Sequence, residues 1–184
     1  MKAKKTLALI WICTIFLSLN LSIAAAAETP WQSKYGGMER TDLQWPFYSM
    51  GYEFTPGVNG KVTKLGGYFN GTMQMKLFNT STGQILATVN ATAANNWSYA
   101  DIPPVDVVAG TTYTIAVLSG WPGTGVTMAF GLGYPDFPQT WGNITIERTV
   151  FGMGSSQPTF ELWNQMWGQP DITFEPDTVG ILNP

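Results

Sequence analysis

Residues 60–117 read GKVTKLGGYFNGTMQMKLFNTSTGQILATVNATAANNWSYADIPPVDVVAGTTYTIAV. Apolar and polar residues alternate here with a period of two, between closely spaced turn signals, which is the pattern of consecutive half-buried strands. Leu65 and Phe69 share one face of a strand over 61–69. Asn70-Gly71, both tolerant of positive φ, predict a hairpin turn, with Met73, Met75 and Leu77 on the returning strand. Asn79-Thr80-Ser81-Thr82-Gly83 predict the next turn, before an apolar strand over 85–91. Ala94-Asn95-Asn96 lead into a strand over 97–102 that Pro103-Pro104 should end, because proline cannot donate to a ladder. Val105 and Val107, then Tyr113, Ile115 and Val117, alternate around the short Ala109-Gly110 connection.

Outward from this block the same logic holds. Tyr48, Met50, Tyr52 and Phe54 alternate with Ser49, Gly51, Glu53 and Thr55, and Pro56-Gly57 with Asn59-Gly60 close that strand. Downstream, 121–125 and 135–142 are loops rich in aromatics and breakers, and strands over 144–150 and 171–175 complete the sheets. No window of helical period follows residue 27, and there is no internal repeat. The expectation is an all-β protein: a jelly-roll-like antiparallel β-sandwich, one domain over 41–176, with a ragged N-terminal segment 28–40 and a C-terminal tail 177–184.

Lys2, Lys4 and Lys5, the apolar run 7–23 and the small residues 24–27 describe a secretory signal peptide cut after Ala27, with an uncleaved anchor as the alternative. Cys13, the one cysteine, lies in that run without the small residues that a lipid-attachment site needs. Cleavage removes three of the nine Lys and Arg and none of the twelve Asp and Glu, so the formal charge moves from −3 to −6. A sparsely charged acidic surface disfavours nucleic acid as a partner, and the lack of a basic or helical amphipathic stretch gives membrane association after cleavage no support, so neither partner is expected. The exported chain is expected outside the cell or at its surface.

The exported part has neither His nor Cys, which removes Ser-His-Asp and Cys-His catalysis and the usual zinc and copper sites. Paired carboxylates drawn from Asp101, Asp106, Asp136, Glu147, Glu161 and Asp171 keep glycoside hydrolysis formally open, but none sits in a pattern marking a catalytic pair. The plainer reading is solvent-facing charges and turn caps. Asp101 and Asp106 flank Pro103-Pro104 without forming a calcium loop, so no cofactor is expected, structural calcium being a possibility without support. Five Asn-x-Ser/Thr triplets, at Asn70, Asn79, Asn90, Asn96 and Asn143, match the glycosylation pattern in a chain rich in these residues.

Seven tryptophans remain after cleavage. Trp121, Tyr134 and Trp141 lie in Gly/Pro-rich loops, where sandwich modules place exposed binding groups, and are the candidate ligand-binding residues. Trp97, which opens a strand, and Trp163 and Trp167 are read as packing residues.

The phrases at 60–65, 82–89, 96–98, 109–113 and 167–174 together resemble a domain-of-unknown-function family of secreted β-sandwich modules, often found beside immunoglobulin-like repeats in microbial surface proteins. The resemblance implies a jelly-roll-like fold and a cell-surface setting, and it carries over no catalytic or binding residues. The functional expectation is a secreted, non-enzymatic module binding a polysaccharide, a glycan or another surface polymer. Its alternatives are a structural or adhesion protein that contacts surface proteins with no sugar site, and a small carbohydrate-active enzyme.

Overall fold

The computed structural model describes residues 26–35, 48–119, 125–126, 128–130, 137–163 and 165–177. They form an all-β structure. One short helix, α1 (Pro30–Tyr35), precedes β1 (Tyr48–Pro56), β2 (Gly60–Asn79), β3 (Ile85–Val107), β4 (Tyr113–Leu118), β5 (Gly125–Val126), β6 (Met128–Phe130), β7 (Gln139–Trp141), β8 (Ile144–Met153), β9 (Phe160–Leu162), β10 (Gln165–Trp167) and β11 (Pro170–Pro176). Nine strands hydrogen-bond into one sheet along β11-β2-β4-β1-β8-β7, with β3 and β5 also on β2 and β9 on β8, while β10 pairs with β6.

The sheet is organised by the 20-residue β2. Its first part, residues 60–67, pairs with β11, and its last part, residues 74–79, pairs with β4. β3 follows its other side almost throughout. The hairpin expected at Asn70-Gly71 is therefore absent, and β2 runs straight through it. The register skips from Phe69↔Asn96 to Asn70↔Ala94, so Asn95 is an extra residue on β3, with φ at 56°, while Gly71, at 88° on β2, pairs with Ala93 beyond it. The positive φ of Asn95 is absorbed in a bulge next to Asn70, and the ladder continues through Gly71. Pro103-Pro104 do not end β3 either. Between Val62↔Val105 and Lys64↔Asp101 they fall in a second irregularity of an outer strand, where a missing N–H costs no ladder bond.

Alternation then builds the core. Met50, Tyr52 and Phe54 of β1, Leu65, Phe69, Met73, Met75 and Leu77 of β2, Ile115 and Val117 of β4, Ile144 and Ile146 of β8, and Ile172 and Phe174 of β11 belong to one buried cluster. The opposite face of β1, β4 and β8 is covered too: Ser49, Glu53, Thr114 and Val150 are buried. Chain from the β8–β9 connection crosses it. Gln157 donates to the Thr80 carbonyl at 3.1 Å, and Lys76 donates to the Ser155 carbonyl at 2.9 Å.

The lead-in expected to be ragged is ordered from Glu28. Glu28 makes an antiparallel bridge to Phe174, with both backbone bonds at 2.8 Å. Trp31 is fully buried and stacks on Tyr52, ring centroids 5.5 Å apart. Thr29-Pro30 is a helix-start signal, proline being tolerated at the first helical position, but α1, with only six residues, is too short to show a helical period.

A Cβ at Gly51 would coincide with the Ile115 carbonyl oxygen of β4. Neither backbone can yield inside a paired sheet, so Gly51→Ala is expected to destabilise the protein by about 3 kcal/mol, the upper range of overpacking. Urea unfolding checks this.

Candidate functional site

Asp171, expected as a surface charge, is instead fully buried on β11. Its Oδ1 accepts hydrogen bonds from the Tyr52 hydroxyl at 2.8 Å, the Trp31 amide at 3.1 Å and the Ile172 amide at 2.9 Å. Its Oδ2 accepts from the Gln32 amide and the Tyr99 hydroxyl, both at 2.9 Å. Tyr99 has a single hydroxyl proton, and Gln32 Oε1 also lies 3.0 Å from it. Trp31 and Gln32 carry orphan amides at the start of α1, so a carboxylate 140 residues away in sequence caps the helix.

Burial pushes the Asp171 carboxyl up to about 6, against the opposing pull of the bonds from Gln32, Tyr52, Trp31 and Tyr99. Burial first, and the neighbouring Asp171 charge second, hold Tyr52 well above the usual phenol range and raise Tyr99. Both phenols therefore stay donors. With Asp171 and Tyr52 sealed from solvent beneath α1, this cluster can tie elements together but offers no substrate an approach.

The other carboxylates singled out in the sequence are engaged or outlying. Asp101 pairs with Lys64 at 2.9 Å, Asp106 pairs with Lys61, and Glu161 lies 3.5 Å from Arg148. Arg148 also makes a two-pronged contact with Glu53, at 2.8 and 2.9 Å. Glu147 is half-buried, and Asp136 lies outside the described residues. Among the described residues no three His, Cys, Asp or Glu side chains group as a metal site. Of the Asn-x-Ser/Thr triplets, Asn143 is held by Glu28, to which its side-chain amide donates at 2.6 Å.

Trp121 and Tyr134 lie outside the described residues. Trp141 is half-buried at the end of β7, with the Lys34 ammonium 4.8 Å from its ring centroid. Such a cation over the ring face links α1 to β7 and occupies the surface a sugar would use. Trp97, expected to pack, does so at the rim of the core, edge-on to Tyr68 at 5.8 Å and stacked on Tyr99 at 6.4 Å.

Among the described residues, the exposed large hydrophobics include two aromatics, Phe160 at 63% and Trp163 at 60%, along with Met153 at 78%. Trp163, read as a packing residue, is thus largely exposed, whereas Trp167 packs as expected, 5.0 Å from Phe151. Phe151 in turn is 5.6 Å from Phe160 and 6.5 Å from Tyr48. Register explains the gathering: Met153 sits opposite Tyr48 and Phe160 opposite Phe151, where the core-facing rows of β1, β8 and β9 run out past the end of the core. Residues 149–170 contain one charged side chain, Glu161, and it faces Arg148. Phe160 and Met153 thus give an exposed apolar ledge beside Phe151, and exposed Trp163 follows three residues after Phe160. Its sequence signal was the apolar alternation continuing through Phe151 and Met153 beyond the predicted strand.

Two outcomes follow from the buried cluster. Trp31→Ala is expected to cost about 3–5 kcal/mol, as for a large core aromatic, in chemical denaturation. Between about 4 and 6 the native state keeps a proton on Asp171 that the unfolded chain, with a carboxyl near 3.8, has released. The contribution of Asp171 is thus greatest below about pH 4 and falls by about 3 kcal/mol as pH rises through 6. The stability difference between wild type and Asp171→Asn, followed from pH 4 to 8, checks the sign.

Compared with protein-family models and with curated proteins, the chain matches none, so the reading of these surfaces rests on their geometry.

Proposed function

We propose that this chain is an exported, non-catalytic β-module that binds a neutral polysaccharide by stacking sugar rings on Phe160 and Trp163. The observation that carries the reading is the exposure of Phe160 and Trp163, two large rings close together in sequence. Two exposed rings, one backed by packed aromatics, offer large flat surfaces that need little ordering on binding. Residues 149–170 are rich in serine and side-chain amides and hold a single charge, Glu161, a composition suited to the hydroxyls of a neutral polymer rather than to an ionic one.

The non-catalytic part of the proposal is supported by the carboxylates. Asp101, Asp106 and Glu161 face basic side chains, and Asp171 is sealed. The signal-like leader and the likeness to secreted microbial β-sandwich modules support an extracellular or cell-surface setting.

The test is a binding screen of the exported chain against neutral and charged polysaccharides, followed by calorimetry on any hit. Phe160→Ala and Trp163→Ala are expected to weaken binding at least tenfold while leaving the urea midpoint unchanged, in line with about 2 kcal/mol for an aromatic anchor. Trp141→Ala should leave affinity intact. Loss of binding in Trp121→Ala or Trp141→Ala alone would move the site off the ledge, and absence of binding across the panel would overturn the proposal.

A further inference from the structure

The edges of the large sheet are protected unequally. β7, at one end, has only three residues. β11, at the other, carries Pro170, Asp171, Glu175 and Pro176 and is bridged by Glu28. Short length, proline, charge and a covering segment are the usual means of preventing an edge from recruiting another chain. The second part of β3 has such residues in Asp101, Pro103, Pro104 and Asp106. Its first part has none: residues 85–100, ILATVNATAANNWSYA, contain no charged residue, no proline and no glycine.

Residues 85–94 are paired with β2 on one side, and among the described residues no strand pairs with their other side. From Ala87 to Ala94 its register on β2 is unbroken, with Thr88, Asn90 and Thr92 exposed on the outer face and Ala87, Val89, Ala91 and Ala93 turned to the core face. We propose that this edge pairs with the same edge of a second copy of the chain, antiparallel about a two-fold axis at Asn90, joining two sheets into one.

A copy of the chain fits this edge because the segment is self-complementary in that register. Residues directly opposite in an antiparallel pair share a face, so Asn90 meets Asn90, Thr88 meets Thr92, Val89 meets Ala91 and Ala87 meets Ala93. The outer row becomes hydroxyls and amides throughout, continuing a row already formed inside each copy, where the Thr72 and Thr92 hydroxyls lie 2.8 Å apart. The inner row meets as small apolar side chains that do not collide. The exported chain is acidic overall, so two copies meet with least repulsion along a stretch that carries no charge. The closed two-fold uses both edges and leaves neither free to propagate a fibre.

The test uses the exported chain made in a host that does not glycosylate Asn90. Sedimentation velocity is expected to give a dimer. Thr88→Lys with Thr92→Lys, which sets ammonium groups opposite each other, should weaken dimerisation at least tenfold, and Ser81→Lys in the exposed turn should not. Because cleavage leaves no other cysteine, Asn90→Cys should form a covalent dimer under mild oxidation, with Cβ atoms about 5 Å apart, whereas Ser81→Cys should not. A wild type that stays monomeric at about 100 μM, a dimer indifferent to the paired lysines, or Ser81→Cys cross-linking as readily as Asn90→Cys would each overturn the proposal.

Discussion

One buried carboxylate holds the two ends of this protein together. Asp171 sits in the last strand, yet the hydrogen bonds it accepts come from the start of α1, from β1, from β3 and from its own backbone neighbour. A buried acid carries a large desolvation cost, offset here by donors that themselves need an acceptor. Around that node lie the Trp31–Tyr52 stack and the Glu28–Phe174 bridge. Without the node, α1 would lose its cap and Trp31 its backing.

Much of the fold was legible because it depends on local alternation. Met50, Tyr52 and Phe54, or Met73, Met75 and Leu77, declare their faces wherever the strands end up. What local signals could not convey was cancellation between distant segments. Asn70-Gly71 reads as a turn alone, yet next to the extra residue Asn95 of the neighbouring strand it continues past a bulge in an unbroken pair. Asp171 was misread for a similar reason: a carboxylate in a short polar-apolar run looks solvent-facing until the partners from α1, β1 and β3 are in view. The aromatic ledge was half legible, since the apolar row reaching Met153 and Phe160 was present in the sequence while its overrun past the core depends on where β1 stops.

The ledge and the bare edge of β3 meet the solvent in different ways. The first presents rings and amides at the end of the sheet, among residues that packing already holds in place. The second presents backbone groups along a side of the sheet. A polymer can lie on rings without satisfying any ladder, and a strand can join an edge without touching the rings, so the two surfaces can be occupied together. A dimer built on β3 would carry two ledges, and a repeating ligand would then be gripped at two points with the gain in apparent affinity that linkage brings.

The bridge between Glu28 and Phe174 also bears on how the polypeptide acquires its shape. Because Glu28 and α1 dock on β11, nucleation from one end cannot complete the core, and the entropy of closing a loop of about 140 residues must be met before these contacts reward it. Until β11 emerges from synthesis, Trp31 has no slot and β2 lacks one neighbour along its first part. A polypeptide so built remains unfolded late, which would suit the export proposed for it.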